Sequence, residues 1–234
     1  MIIKRLISIY GERIIAALLI IMTAIAAVII ANGAYKVYRA NSVLDEGLSA
    51  TEQALAEQRK VDIALSSMGD ERIVEVDANF QKEAEYEKSL DGAYADAAAT
   101  GQAILSVFID GEEYRYAVYN GMTSKNLWRG VARASESNRP GEKGNCMIFG
   151  HRDSAFRCLK DIEIGDKVVV TTSHNKYFYK VERTKVCHPD DLIMTDSYDD
   201  ATLTLVTCHP FIYSGPSPER FLVICKLVLE KTIE

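Results

Sequence analysis

The sequence predicts a mainly β domain, either a closed barrel or a sandwich, preceded by a membrane-spanning helix and a helical stalk. An uncharged apolar run lies near the N-terminus, an acidic segment with helically spaced apolar residues follows it, and short alternating strands begin near residue 103. The chain has 234 residues, of which 48% are hydrophobic and 26% charged. This length and composition are typical of one well-cored domain with attachments.

The first element is an eighteen-residue run without a charge, Ile14 to Ala31. At about 1.5 Å per residue, it reaches the lower limit for crossing roughly 30 Å of hydrocarbon. A cleaved signal peptide is the alternative, but its apolar core is typically about 7 to 15 residues long. Residues 1–40, with a net charge of +4, are therefore predicted as a cytoplasmic tail and transmembrane anchor. Because most of their basic residues precede the span, the remainder of the chain is expected outside the cell.

Residues 41–100 are predicted as an acidic, helical stalk. They hold fourteen acidic and five basic residues and no proline. Apolar residues recur at roughly helical spacing up to Gly69, which favours an amphipathic helix; these are Leu44, Leu48, Leu55, Val61, Leu65 and Met68. A solvated stalk is the simpler interpretation, and a partner-binding coiled coil is the alternative.

Residues 101–234 carry the β pattern. Seven or eight short strands with period-2 alternation are separated by turn pairs such as Asp110-Gly111 and Asn120-Gly121. Two short helices are expected, at about 123–133 and 154–161. This many strands in so short a segment favours a barrel or sandwich. The domain has no basic patch of the kind that nucleic acid requires.

Cys208 is either a buried sulfur of the β core or a nucleophile. It ends the strand TLTLVTC, just before His209-Pro210, where proline terminates pairing. If the following strand returns as an antiparallel hairpin, Arg220 falls near Cys208 on the same face. A guanidinium there would favour the thiolate and could hold an oxyanion. The same register sends Cys225 to the core face, opposite about Leu203.

A nucleophilic thiol also needs a base, and the chain has four histidines. His151 follows the apolar strand NCMIFG and therefore lies at a strand end. His174 lies in a turn where solvent exposure is expected. His188 and His209 each follow a cysteine, so alternation sends each to the face opposite that cysteine.

Metal sites are the alternative chemistry for these residues. Cysteine and histidine occur as adjacent dipeptides and not as the spaced pairs that structural zinc uses, so no metal is predicted. The acids at 190, 191, 196, 199 and 200 could bind calcium, but a solvated acidic loop is the favoured interpretation.

Three segments in order, GNCMIFGHRDSAF, TLTLVTC and PERFLVICKL, resemble the sortases, the cysteine transpeptidases of Gram-positive cell surfaces. The similarity extends over NRPGEKGN and IGDKVVV and covers about residues 103 to 230. The histidine lies 57 residues before the cysteine and the arginine 12 after it. The sequences of these motifs are most similar to those of class D sortases, although His209 stands where an aromatic residue such as tyrosine is expected.

The resemblance implies a closed sortase-like barrel and a membrane-bound enzyme without a cofactor. Cys208 would be the nucleophile, His151 the general acid and base, and Arg220 the stabiliser of the substrate carbonyl. The enzyme would cleave an LPxTG-like signal of surface proteins after Thr and transfer the protein to an amine of a cell-wall precursor or peptidoglycan.

Substrate-binding positions implied by the resemblance are Phe149, Thr207, Leu192, Ile193 and Met194. A pilin-polymerising sortase is the alternative enzyme, but this chain has no Asp-Pro-aromatic lid motif. A catalytically inactive membrane-tethered scaffold is the non-enzymatic alternative. Five cysteines leave at least one unpaired thiol, as a cysteine nucleophile requires.

Overall fold

The computed structural model describes residues 2–68, 101–191, 198–213 and 215–233, with side chains from residue 18 to residue 63 of the first range. The first element is helix α1, Ile2–Met68. The chain divides into two compact units, Met1–Ser42 and Val43–Glu234.

The N-terminal unit consists of the first part of α1. Its apolar side chains from residue 18 onward are exposed, including Leu18, Ile20 and Ile30. By length and composition this helix can cross a membrane, with a mean hydropathy of 2.2 in its most apolar window and none of that window buried. A signal sequence meets the same criteria, so the anchor stays a prediction.

Eight strands close into a barrel, which confirms the predicted mainly β class. Their order around the barrel is β1-β2-β3-β4-β7-β8-β6-β5. The pairs are antiparallel except β2 with β3 and β4 with β7, which are parallel. The strands are β1 Ala103–Ile109, β2 Glu112–Asn120, β3 Val131–Arg133, β4 Gly144–Phe149, β5 Lys167–Thr171, β6 Asn175–Cys187, β7 Ala201–His209 and β8 Glu219–Thr232.

The first predicted short helix is shorter than expected. Helix α2 spans Ser124–Arg129, and the prediction is wrong beyond residue 129. Thr123 caps its N-terminus, because its side chain accepts a hydrogen bond from the Asn126 amide. Gly130 ends it so close to β2 that an added Cβ would lie 2.4 Å from the Ala117 carbonyl oxygen. The second predicted helix is a 3₁₀ helix, Ala155–Asp161, and a further 3₁₀ turn covers Pro189–Asp191.

The core fills the barrel interior with residues that alternate along each strand. In β7 these are Leu203 and Leu205, which pack with Val223 and Cys225 of β8. Outward residues of β4, β7 and β8, together with the residue that follows β3, form a second, smaller cluster. We call it the outer strip; it consists of Ala134, Met147 and Val206, with Phe149 and Leu222 partly buried against them.

The second unit begins with the part of α1 that packs on the barrel, which differs from a solvated stalk. Gly47 approaches the backbone of α2, and Thr51 is fully buried and accepts a 2.9 Å hydrogen bond from the Gly101 amide. Leu55 is buried, and the Arg59 guanidinium donates to the Ser173 carbonyl at 3.0 Å. At the rim an ion pair joins Glu52 to Arg115, and Asp62 Oδ2 lies 3.3 Å from Nε2 of His174. The later part of the predicted stalk, residues 69–100, lies outside the described residues.

Candidate active site

The register of β7 with β8 places Cys208 directly opposite Arg220. The strands are antiparallel, and the same ladder pairs Leu203 with Cys225, as the sequence predicts. Because side chains alternate, Cys208 shares its face with Val206 of the outer strip and not with Leu205 of the core. The thiol is therefore at the strand end, half-buried, and on the outside of the barrel.

His151 reaches the same edge of the barrel from β4. This strand runs parallel to β7, with Phe149 opposite Val206. The ladder continues one step past the strand, because the Gly150 amide donates to the Val206 carbonyl at 3.1 Å. Extending the register by two residues sets His151 beside Cys208, on the same outward face.

A side-chain hydrogen bond fastens these two strand ends together. The Thr207 hydroxyl donates to the Gly150 carbonyl at 2.8 Å, and Thr207 is only 2% exposed. Thr207 and Gly150 directly precede Cys208 and His151. This bond therefore links the residue before the proposed nucleophile to the residue before the proposed base.

The imidazole of His151 packs against the exposed indole of Trp128 in a tilted arrangement. The ring centroids of Trp128 and His151 are 5.3 Å apart, with the planes inclined at 53°. Its Nε2 is buried without a hydrogen-bond partner among the described residues. The residue's backbone is fixed by the Phe156 amide, which donates to the His151 carbonyl at 2.9 Å. This nitrogen is therefore not engaged by another described group, as a proton carrier requires.

Arg220 is held from one side of its guanidinium. Its Nη1 donates to the Glu219 carbonyl at 2.9 Å and to the Ser217 carbonyl at 3.3 Å. A guanidinium has five N–H donors in a planar fork, and among the described residues those on Nε and Nη2 make no hydrogen bond, so they can serve a substrate oxygen. The group can therefore stabilise an oxyanion beside the Cys208 sulfur.

The predicted substrate positions differ in their surroundings. Phe149 is half-buried and packs in the outer strip that leads to Cys208. Thr207 points away from that face, and its hydroxyl is already engaged with Gly150. Leu192, Ile193 and Met194 lie outside the described residues. The assignment of these five residues to substrate binding stays a prediction.

The remaining described thiols differ from Cys208 in burial or in partner. Cys146, Cys187 and Cys225 are buried. Desolvation raises the pKa of Cys146 to about 12 and that of Cys225 further. Burial also raises the pKa of Cys158, whose sulfur lies 3.5 Å from the Tyr116 hydroxyl. In the part of the chain that the structure describes, no three His, Cys, Asp or Glu side chains are grouped as metal ligands.

Two residues beside the site were not singled out from the sequence. Trp128 is the only tryptophan, but nothing in its local sequence places it against His151. Arg152 follows His151 directly and makes hydrogen bonds to residues 58 to 65 positions later in the chain. The pairing of β4 with β7 brings these partners together.

Residues 107–228 match the family model of the sortase domain. The chain is 32% identical to Sortase D of Bacillus subtilis (strain 168) over 130 residues, which are 55% of this chain and 66% of that one. It is 25% identical to Sortase A of Bacillus anthracis over 221 residues, covering 93% of this chain and 96% of the relative. The structure of a Clostridium perfringens Sortase D5 transpeptidase aligns with a TM-score of 0.55 and 21% identity over 80% of this chain and 99% of that one, which supports the fold.

Proposed function

The chain belongs to the sortase family of cysteine transpeptidases, and we propose that Cys208, His151 and Arg220 carry out its reaction. The observation that supports this most directly is the strand register. The ends of β4 and β7 and the start of β8 meet at one edge of the barrel, with Cys208 opposite Arg220 and His151 alongside. The thiol supplies a nucleophile and the imidazole a proton carrier. The guanidinium supplies a partner for the oxyanion.

In the first step we assign Cys208 as the attacking group. Its sulfur would add to the carbonyl carbon after Thr in an LPxTG-like sorting signal, and the guanidinium of Arg220 would stabilise the negative oxygen. The C–N bond then breaks, His151 protonates the leaving amine, and a thioester joins the surface protein to Cys208.

In the second step an amine of a cell-wall precursor or peptidoglycan would attack the thioester. His151 would take the proton from this amine as the C–N bond forms, and the Cys208 thiolate would leave. The surface protein is then linked to the wall by an amide bond. Neither step needs a redox cofactor, because one peptide bond is exchanged for another without redox change.

The sorting signal would bind along the outer strip. This strip is the apolar part of the face that Cys208 shares, and Phe149 and Leu222 lie partly buried at its surface. Leucine and proline side chains of the signal would gain free energy by leaving water there. Leu192, Ile193 and Met194 would line the same groove from the segment before β7.

The membrane would hold the enzyme close to its substrates. The apolar first part of α1 is exposed, which is favourable for a helix within lipid. We propose a single-pass plasma-membrane protein with residues 101–234 outside the cell. The similarity to Sortase D of Bacillus subtilis supports a class D assignment.

Acyl-enzyme trapping tests this function. The full-length protein in detergent is incubated with a panel of LPxTG-like peptides, and intact and peptide mass spectrometry locates any adduct. We expect a thioester on Cys208 with one peptide class, none in Cys208→Ala, and acylation slower by about 10²- to 10³-fold in Arg220→Ala. Cys158→Ala, which removes a half-buried thiol elsewhere, serves as the matched control and should keep the adduct.

The proposal fails if no peptide acylates the protein while Cys208 still reacts with a small alkylating agent. An adduct that persists in Cys208→Ala would place the nucleophile elsewhere. Release of the peptide with an amine incorporated, and not only with water, would establish transfer as the second step.

A further inference from the structure

Arg152 connects the turn after His151 to the segment that joins β7 and β8. Its Nη1 donates to the Pro210 carbonyl at 2.9 Å and to the Ser217 hydroxyl, and its Nη2 donates to the Tyr213 carbonyl at 3.0 Å. The guanidinium carbon also lies 5.7 Å from the centroid of the Tyr213 ring. One side chain thus holds both ends of this connection and its middle.

The acceptors of Arg152 are all neutral. Among the described residues it forms no ion pair, so its charge strengthens three hydrogen bonds to carbonyl and hydroxyl oxygens. A planar guanidinium can meet three acceptors at fixed angles, which a lysine ammonium on a flexible stem cannot do equally well. The residue type therefore fits the geometry of the contact and not merely its charge.

Ser217 extends this contact to Arg220. Its hydroxyl accepts from Arg152 and donates to the His209 carbonyl at 2.7 Å. Its own carbonyl accepts from Nη1 of Arg220 at 3.3 Å. Ser217 therefore lies between the two guanidinium groups, one beside His151 in sequence and the other opposite Cys208 in the ladder.

We propose that Arg152 is a positioning residue, which holds the β7–β8 connection so that Arg220 and His151 keep their places beside Cys208. Arg152 acts through Ser217 and the loop backbone and does not touch the substrate. This inference rests on the roles proposed above for His151 and Arg220. It adds that the distance between them is set by a hydrogen-bonded link outside the strand ladder.

The test compares Arg152→Ala and Arg152→Lys in the full-length protein. A misplacement of about 1 Å between catalytic groups costs on the order of 10²-fold in rate, so kcat should fall by about that factor in Arg152→Ala. KM should change far less, because the outer strip is not altered. Arg152→Lys should recover part of kcat, since an ammonium can still donate to one or two of the oxygens. Arg157→Ala, at an exposed arginine of the 3₁₀ helix that follows this turn, is the matched control and should equal the wild type.

A second readout is independent of activity. Hydrogen exchange should quicken in Arg152→Ala at the loop amides, while exchange in the centre of β7 stays unchanged; the loop amides are those of Phe211, Ile212, Tyr213, Gly215 and Ser217. Ser217→Ala should give a milder form of both effects, and the double variant should lose less than the two single losses combined.

The outcomes separate the two proposals. If wild-type protein forms no acyl-enzyme, the proposed function fails, and the exchange data alone decide whether Arg152 holds the loop. If wild type is active and Arg152→Ala keeps kcat within twofold, the inference is overturned. The inference is also overturned if Arg152→Ala has a lower kcat but the loop exchanges hydrogen at the wild-type rate. A tenfold rise in KM with kcat unchanged would overturn it as well. If Arg152→Ala does not fold, Arg152→Lys and Ser217→Ala carry the same tests.

Discussion

Exchanging Thr207 for valine or serine separates the hydrogen-bonding role of this residue from its packing. Thr207 is 2% exposed, and its hydroxyl donates to the buried Gly150 carbonyl at 2.8 Å. Valine keeps the shape of threonine but loses the donor. Serine keeps the donor but loses a methyl group. The two substitutions therefore remove different halves of the same side chain.

The expected energies follow from burial. In Thr207→Val the Gly150 carbonyl loses its side-chain donor in a site from which water is excluded, which costs about 1 to 3 kcal/mol. In Thr207→Ser the missing methyl group leaves a small void and costs about 1 kcal/mol. Both variants should unfold at lower temperature, by roughly 4 °C for each kcal/mol in a domain of this size.

Activity should separate them. Thr207→Val releases the link between the residues that precede Cys208 and His151, and a resulting displacement near 1 Å would reduce kcat on the order of 10²-fold. Thr207→Ser keeps the link, so its kcat should stay within a few-fold of wild type. The assay is steady-state turnover of the peptide identified by acyl-enzyme trapping, with thermal unfolding measured on the same preparations.

The reasoning is refuted if valine retains full kcat while serine loses it. That result would assign the methyl group, and not the hydroxyl, to the active site, and would revive direct substrate contact by Thr207. Equal losses in both variants would mean that stability alone controls the activity.

Three further changes test other parts of the structure. Gly47→Ala would place a Cβ 2.6 Å from a backbone oxygen of α2, so it should destabilise the packing of α1 by about 1 to 3 kcal/mol. Faster hydrogen exchange near residue 51 would report this loss. Gly33→Ala is the control and should have no such effect, because its Cβ would have no atom within 4 Å. Burial raises the pKa of Cys146 to about 12, so alkylation of the native protein at pH 8 should spare it. Since its folded pKa lies above the unfolded value of 9.0, the free energy of unfolding measured in urea should fall as pH rises from 9 towards 12, less steeply in Cys146→Ala. His209→Tyr should keep turnover, because a tyrosine ring can stack on Phe221 as the imidazole does. The substitution loses only the 3.0 Å contact between His209 Nδ1 and Glu219.

Strand periodicity made much of the site predictable. Even and odd positions alternate between faces, so once a hairpin was assumed the parity of residue numbers placed Arg220 on the face of Cys208 and Cys225 on the other face. The structure pairs Cys208 directly with Arg220 and Leu203 with Cys225. Closure of the barrel, which periodicity left open against a sandwich, came from the family resemblance. Local pattern determines the face of a side chain, but it does not determine which strands become neighbours.

The remainder depended on contacts between distant segments. The apolar positions of residues 44–55 indicate a helix with one apolar face, and the sequence does not say whether that face meets solvent, a partner or the barrel. The deciding features are small: Gly47 permits close approach to α2, and Thr51 accepts a hydrogen bond from the Gly101 amide. The acceptors of Arg152 likewise lie on a loop whose path follows from the closed fold.

The position of Cys208 depends on register more than on any contact of its own side chain. A slip of one residue between β7 and β8 would turn Cys208 towards the core and expose Leu203 and Leu205. Removing two fully buried leucines from the interior costs about 1.5 to 3 kcal/mol each, so the core itself selects the register that leaves the thiol outside. Stability and chemistry are therefore coupled through alternation: the residues that fill the barrel also determine the face on which the sulfur lies.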